Sequence, residues 1–332
     1  MINWNVIGVF VAPDHRAALG IFRAYLAEPV AVYYVASAIL NTRGAVDGVL
    51  GAWSAGAAAL AVGQVAVIAL AAAGNHLVPG HVASFLGINP NSIALYLEPL
   101  IGVAAGFVLF GQGRRRLVAL ALMAVLVAGN LATLSRGGLI ALAALAVAAV
   151  FTLRGTWPRV AILAGAATAA LLLTILPVIG PRLRHALDPG SGTFDVRGDI
   201  WAATARMLRD HPFFGAGINA YQATMVPYRA PYPNLSPEPY PHNIFLTSWT
   251  ELGLLGLAAF TYILFALIVQ PFRAFATAGA WQRPLLWGTG AGFAMVLAHG
   301  LVDSPYWKND LSVEFWILAA LQVVALRPHL EK

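Results

Sequence analysis

Residues 197–217, RGDIWAATARMLRDHPFFGAG, stand at the centre of a polar stretch, 180–241, that interrupts an otherwise apolar chain. This stretch holds six arginines: Arg182, Arg184, Arg197, Arg206, Arg209 and Arg229. It also holds more aromatic residues than a disordered linker usually carries, and long connections in compact proteins tend to be functional. We therefore expect a folded, cationic and aromatic segment on one membrane face that binds a bulky anionic ligand.

The composition identifies the class of protein. The chain of 332 residues is 59% hydrophobic and only 10% charged, whereas soluble domains average about a quarter charged residues. The chain is therefore predicted to be an integral membrane protein. It contains no cysteine, which excludes disulfides, thiolate metal sites and cysteine nucleophiles.

The apolar stretches predict an all-α polytopic membrane protein with about nine spans, since a spanning helix needs about 20 mostly apolar residues. The predicted spans are 24–41, 46–73, 91–110, 117–134, 137–153, 159–179, 243–270, 285–302 and 311–326. Three parts follow: an N-terminal bundle of about six spans (1–179), an extracytoplasmic catalytic segment (180–242) and a C-terminal bundle of about three spans (243–332). Two glycine pairs, Gly102/Gly106 and Gly288/Gly292, have the spacing that allows close helix contact.

Basic residues in short loops predict the orientation. The cluster of three arginines at 114–116 is the strongest and is expected to be cytoplasmic. Long translocated segments largely escape the rule. We therefore expect Arg136, the polar stretch and His242 on the extracytoplasmic face.

Within the polar stretch, residues 199–210 have the spacing of a short amphipathic helix. Its apolar face consists of Ile200, Ala203, Met207 and Leu208. His211-Pro212 should end the helix, because the residue before a proline is pushed out of helical geometry. A glycine turn at 215–217 follows, and six prolines between 227 and 241 predict a stiff extended strap.

Two arginines are candidate anion ligands, each with a structural alternative. Arg136 lies in SRGG (135–138) between two apolar stretches. It either snorkels to the interface or clamps an anion, with the glycines allowing a ligand close to the backbone. Arg197, just ahead of the predicted helix, either pairs with Asp195 or Asp199 or binds phosphate oxygens through its guanidinium fork.

Histidines are the candidate bases. His242 stands at the head of a predicted span, where it is either structural or a general base near neutral pH, and Asn243 would cap the helix or orient the ring. His299 and Asp303 are four residues apart and would share a helix face, as a dyad or as a buried pair joining helices. The sequence shows no metal-ligand spacing, so no metal is predicted.

Several short motifs together resemble the O-antigen ligase and polymerase superfamily. They are SRGG (135–138), RGDIW (197–201), DHPFFGAG (210–217), HNIFL (242–246), ELGLLG (251–256), NPN (89–91) and HGLVD (299–303). The similarity covers roughly residues 20–326. Family members commonly have more spans, and residues 3–13 resemble the trailing end of a further helix. Either the start of the chain is misplaced or the family's variable N-terminal helices are absent.

The resemblance implies a glycosyltransferase of the bacterial cytoplasmic membrane that works without a metal or other cofactor, with its active site on the periplasmic face. The donor would be a glycan on undecaprenyl diphosphate. The acceptor would be a lipid such as lipid A–core, another carrier-linked glycan or a protein. The family's two arginines and histidine fall on Arg136, Arg197 and His242. Membrane lipids are expected partners, and nucleic acid is not.

The expected chemistry is charge stabilisation. Arg136 and Arg197 would stabilise the diphosphate, and His242 would deprotonate the acceptor or touch the diphosphate. A sugar path could be lined by the amphipathic rings of Tyr228, Tyr232 and Tyr240. The alternatives are a polymerase of lipid-linked repeats and a transporter for a lipid-linked anion. A transporter would need charges deeper in the spans and broken helices.

Overall fold

The computed structural model describes residues 2–74, 82–153, 193–232 and 235–327, together with 155–156, 159–160 and 165. These residues form helices, turns and loops without a β-strand, which confirms the predicted all-α class. The helices are α1 (Ile2–Val11), α2 (His15–Phe22), α3 (Glu28–Ile39), α4 (Arg43–Ala73), α5 (Pro90–Phe110), α6 (Gly113–Ala132), α7 (Arg136–Thr152), α8 (Thr193–Asp210), α9 (Tyr221–Thr224), α10 (Ile244–Ala274), α11 (Gln282–Gly300) and α12 (Asn309–Leu326). A π-helical turn, Arg23–Ala27, joins α2 to α3.

Within the described residues, five helices are long and apolar enough to cross a membrane: α4, α5, α6, α10 and α12. They coincide with five of the nine predicted spans. Helix α7 is apolar but shorter, α11 forms a helix that is not among the five, and the predicted span 24–41 divides between the π-turn and α3. The predicted span 159–179 lies almost wholly outside the described residues. The figure of nine spans therefore stays a prediction.

The chain forms two compact units, each assembled from separate parts of the sequence. The first unit consists of Met1–Val35, Pro189–Ala266 and Gly300–Ile317, and the second of Ala36–Asp188, Leu267–His299 and Leu318–Lys332. The described part of the polar stretch belongs to the first unit. The division of the chain at residues 179 and 242 stays a prediction.

In the second unit, glycines bring α5 and α11 into backbone contact. A Cβ added at Gly102 would meet the backbone of Gly292, and one at Gly106 would meet the backbone of Gly288 and Pro284. The predicted close contact of the two glycine pairs is thus confirmed. Burial from water does not drive membrane helices together, so this close van der Waals packing is what joins them.

In the first unit, α8 is the predicted amphipathic helix. The four residues of its predicted apolar face are all buried: Ile200, Ala203, Met207 and Leu208. The helix ends at Asp210, directly before His211-Pro212 as predicted. Its start, however, lies at Thr193, before the predicted start at residue 199.

Helix α10 is interrupted near its beginning. Gly253 has a φ of 71° and a ψ of −176°, which no helix contains. The loop that follows α8 docks at this break. The N–H of Ala216 donates to the carbonyl of Thr250 at 2.8 Å, and the N–H of Leu254 donates to the carbonyl of Phe213 at 2.9 Å. The loop therefore bonds backbone groups on both sides of the interruption.

The turn within this loop depends on its glycines. Gly215 and Gly217 have φ values of 66° and 89°, a region that favours glycine, and the predicted turn is confirmed. A Cβ at Gly215 would collide with the backbone of Thr250. Just beyond the turn, the N–H of Asn219 donates to Glu251 Oε2 at 2.6 Å. The loop and the first part of α10 are therefore held together by several hydrogen bonds.

The proline-rich strap differs from the prediction in its first half. Pro227–Arg229 is a short 3₁₀-helix, and a turn follows in which the N–H of Tyr232 donates to the carbonyl of Arg229 at 2.8 Å. The predicted extended conformation is wrong there, because the fixed φ of proline suits the start of a turn as well as an extended chain.

The glycine contact between α5 and α11 can be tested with one substitution at two sites. Gly106→Ala should lower the free energy of unfolding by about 1–3 kcal/mol, since the added methyl group has no room. Gly48→Ala in α4, where nothing lies within 4 Å of an added Cβ, should raise it by about 0.4–1 kcal/mol. Thermal unfolding in detergent measures both. Shifts of the same sign would contradict the close contact.

Candidate active site

His242 is held between two carboxylates in the first unit. Its Nδ1 lies 3.3 Å from Asp303 Oδ1, and its Nε2 lies 3.4 Å from Glu238 Oε2. The Asp303 side chain is only 5% exposed, whereas that of Glu238 is 30% exposed. The imidazole therefore has one buried partner, which can fix its tautomer, and one partner at the surface.

The start of α10 creates this arrangement. The Asn243 side chain caps the helix, because its Oδ1 accepts the N–H groups of residues 245 and 246 at 3.0 Å. Its Nδ2 donates to the carbonyl of Leu301 at 2.9 Å, and Thr247 and Ser304 share a hydrogen bond of 2.7 Å. These bonds attach the turn that carries Asp303 to the residue next to His242. Of the two roles considered for Asn243, the structure shows helix capping.

Opposing effects act on the pKa of His242. Burial, the largest effect, lowers it, but the hydrogen bonds and charges of Asp303 and Glu238 raise it by more, so the pKa lies above the ordinary 6.5. The two carboxylates thus favour the imidazolium form. Acting as a base requires the loss of this proton, which the departure of Glu238 would favour.

Arg197 lies inside α8, not ahead of it as predicted. Burial lowers the pKa of Arg197, and the charge of Asp303 opposes this, so the guanidinium stays charged. One turn along the same helix face, the indole N–H of Trp201 donates to the carbonyl of Pro241 at 2.9 Å. Asp303 thus interacts with both Arg197 and His242, and α8 is bonded to the residue that precedes His242.

Tyr240 is the tyrosine that contacts the histidine. Its ring lies edge-on to that of His242, with centroids 4.8 Å apart. Burial first, and then the charges of Asp303 and Glu238, raise the pKa of Tyr240. Its hydroxyl therefore stays neutral beside the imidazole.

The other two tyrosines have partners elsewhere. The hydroxyl of Tyr228 donates to Asp210 Oδ2 at 2.7 Å. The ring of Tyr232 lies 5.5 Å from the guanidinium carbon of Arg206, which is an exposed residue of α8. Their predicted place in a sugar path stays a prediction.

Arg136 is the first residue of α7 in the second unit. Ser135 caps this helix, because its Oγ accepts the N–H of Gly138 at 3.2 Å. The guanidinium therefore starts from a fixed helix end rather than from a flexible loop.

The glycines after Arg136 make room for protein side chains. A Cβ at Gly137 would overlap the ring of His299, and one at Gly138 would meet Asn130 Oδ1 at 2.7 Å. His299 Nδ1 lies 2.7 Å from Glu98 Oε1, and both side chains are buried. The interpretation that these glycines admit a ligand is therefore wrong, since His299 and Asn130 already fill the space beside them.

The predicted partnership of His299 with Asp303 is also corrected. Helix α11 ends at Gly300, so the spacing of four residues does not continue on one helix face. His299 bonds Glu98, and Asp303 bonds His242. The alternative interpretation of His299, as part of a buried polar pair that joins helices, holds with a different partner.

Sequence reasoning missed two residues that the structure brings to these sites. Glu238 lies four residues before His242, but such spacing indicates proximity only in a helix, and the strap is not helical there. Asn130, whose side chain lies against Gly138, is within an apolar stretch. A polar residue inside a predicted span was the signal available for it.

The comparison with known families bears on these residues. The family model described as O-antigen ligase matches residues 121–261, a range that contains Arg136, Arg197 and His242. This match supports the assignment of the chain to the O-antigen ligase and polymerase superfamily. No curated protein matches the chain. Together with the apolar helices, the match points to a multi-pass membrane protein that resembles glycosyltransferases acting on lipid-linked glycans.

Each candidate arginine is followed by a glycine, which gives a matched test. Gly137→Ala should lower the transfer rate roughly tenfold, which corresponds to about 1.4 kcal/mol of activation free energy, because the added methyl group must displace the start of α7 that carries Arg136. Gly198→Ala should leave the rate unchanged, since nothing lies within 4 Å of an added Cβ there. Release of free carrier from a lipid-linked glycan measures both rates. Equal rates for the two variants would contradict a supporting role for the contact between Gly137 and His299.

Proposed function

We propose that the chain is an inverting, metal-independent glycosyltransferase of the bacterial cytoplasmic membrane. It would move a glycan from undecaprenyl diphosphate to an acceptor hydroxyl on the periplasmic face, as an O-antigen ligase does. The observation that carries the proposal is the carboxylate of Asp303, which bonds His242 at 3.3 Å and acts electrostatically on Arg197. One buried carboxylate thus bonds the proposed base and acts electrostatically on the proposed anion ligand.

The role proposed for Arg197 follows from the leaving group. As the glycosidic bond breaks, its electron pair stays on the diphosphate oxygen, and negative charge grows there. A half-buried guanidinium is a fixed cation that needs little reorganisation to stabilise such charge. The resemblance assigns a second diphosphate-binding role to Arg136, and the capped helix start that holds Arg136 suits it.

The role proposed for His242 is that of general base. The acceptor oxygen attacks the anomeric carbon from the side opposite the diphosphate, so the configuration inverts. The acceptor proton passes to Nε2, while Nδ1–H donates to Asp303 and keeps the ring in one tautomer. In the structure Nε2 faces Glu238 at 3.4 Å. The acceptor hydroxyl would take the place of that carboxylate, which is the exposed partner of the ring.

A transporter for a lipid-linked anion is the second candidate, and one observation favours it. Transporter sites are built at broken helices, and α10 is broken at Gly253. The backbone groups beside the break, however, already bond the loop at residues 213 and 216. The break therefore anchors the polar segment and leaves fewer groups for a substrate, which supports the enzyme.

Carrier release tests the function. The purified protein would be reconstituted with a glycan on undecaprenyl diphosphate, with EDTA present, and free undecaprenyl diphosphate and chain length would be followed. Release that needs an added lipid or protein acceptor would mean a ligase, and chain growth without one would mean a polymerase. Loss of release on chelation would contradict a metal-free reaction. Donor movement across the bilayer without release would indicate the transporter.

Substitution of Arg197 should remove charge stabilisation without unfolding the protein. We expect Arg197→Ala to lower the rate of carrier release by on the order of 10²–10³. Arg197→Lys should also be poor, because lysine lacks the guanidinium fork. Arg209→Ala is the matched control, since Arg209 lies exposed on the same helix. Full activity of Arg197→Ala would overturn the assignment of Arg197 as a diphosphate ligand.

The pH dependence distinguishes a base from a cation at His242. Glu238 raises the pKa of His242, so Glu238→Gln should lower that pKa. If His242 is the base, the acidic side of the kcat/KM profile moves to lower pH, because the neutral ring persists there. If His242 binds the diphosphate as a cation, the alkaline side moves instead. Glu28→Gln is the control, since that carboxylate pairs with Arg23 at 3.1 Å. An unchanged acidic side would contradict the assignment as a base.

A further inference from the structure

The second unit contains a groove that the proposed transfer reaction does not use. It lies between α4, α5 and α6 and has a volume of about 570 Å³, within the range of ordinary ligand sites. Its walls are almost wholly apolar, with Leu50, Gly51, Ala104, Phe107 and Leu122 among the lining residues. Such walls suit a hydrocarbon chain. They do not suit a peptide, whose backbone would need hydrogen-bond partners.

One end of the groove is charged. Arg114 and Arg115 line it together with Asp47, and Arg115 Nη2 lies 2.6 Å from Asp47 Oδ2. Both arginines lie in the first turn of α6, with a third, Arg116, beside them, and this turn contains no acidic residue. The N-terminus of a helix already carries positive charge. A single aspartate leaves this end strongly cationic, so it complements an anion.

The charged end is far from the turn that carries Arg136. Helix α6 has 20 residues and is therefore about 30 Å long, close to the hydrocarbon thickness of a bilayer. Arg114 and Arg115 are at its beginning, and the turn to Arg136 follows its end. An anion bound at these arginines is thus on the opposite membrane face from a diphosphate at Arg136.

We propose that this groove binds an anionic phospholipid of the cytoplasmic leaflet, with its phosphate at Arg114 and Arg115 and one acyl chain along the apolar walls. Basic residues between membrane helices on the cytoplasmic side recognise anionic headgroups in this way. Only a molecule that has both an anionic group and an acyl chain contacts both the cationic end and the apolar walls of the groove. A free phosphate would leave the apolar walls empty, and a zwitterionic lipid would bring a cation beside the arginines together with its phosphate.

The test is thermal unfolding of the purified full chain in detergent with added lipid. Phosphatidylglycerol should raise the Tm, and its apparent affinity should exceed that of phosphatidylcholine with the same acyl chains roughly tenfold. Inorganic phosphate should give no shift. Arg114→Gln with Arg115→Gln should abolish the preference for phosphatidylglycerol. Equal shifts with the two lipids would overturn the proposal, and a shift with phosphate alone would indicate an anion site without a lipid.

A matched pair of substitutions tests the acyl chain. Gly51 lines the groove, and an added Cβ there meets nothing within 4 Å. Gly51→Leu should therefore fill the space, so that at least about ten times more lipid is needed for the same Tm shift. Gly48→Leu on the same helix, also with open space, is the control and should leave the shift unchanged. Equal behaviour of the two variants would contradict an acyl chain in the groove. Competition by undecaprenyl phosphate stronger than by phosphatidylglycerol would assign the groove to the carrier instead.

Discussion

The carboxylate of Asp303 is the interaction on which the first unit's candidate site depends. A buried carboxylate is costly unless it is paired and hydrogen-bonded. Asp303 meets that demand by bonding His242 and the N–H of Ser304, at 3.3 and 2.8 Å, and by acting on the charge of Arg197. The partly buried cations also need a nearby anion, because burial of an unpaired charge is costly for them as well. Asp303, which lies outside the two motifs that carry the cations, therefore positions His242 by a hydrogen bond and favours the charged form of both groups.

Within the residues that the structure describes, each unit places a candidate arginine and a histidine bonded to a carboxylate, but the two histidines differ in exposure. His299 is 1% exposed and Glu98 is fully buried, so neither can meet a substrate, and the ring instead packs against the glycine after Arg136. His242 is 23% exposed and has a partner at the surface. The pair of His299 and Glu98 thus supports the start of α7, whereas the pair of His242 and Asp303 leaves a titratable ring partly exposed. The exposed fraction of the histidine side chain decides between these roles, and it cannot be read from the sequence.

The features that were predictable from sequence are local and periodic. The buried face of α8 repeats at the spacing of a helix, and the glycine pairs of α5 and α11 repeat every four residues, so both predictions were confirmed. The partner of Asp303 was missed because the spacing argument assumed a helix that ends at Gly300. The break at Gly253 was missed for a different reason. Apolar residues continue on both sides of it, and the loop that compensates for the break lies about forty residues earlier in the chain.

That break explains how a polar segment can be fixed to an apolar helix. In a membrane every backbone group needs a partner, and an interrupted helix leaves some of them without one inside the helix. The loop at residues 213–216 bonds Thr250 on one side of Gly253 and Leu254 on the other, so the helix and the segment stabilise each other. The short first part of α10 therefore begins just after His242 and ends at the break where the loop docks. Because the same polar segment carries α8, whose Trp201 bonds the residue before His242, docking at Gly253 helps to fix the helix that carries Arg197 beside the start of α10.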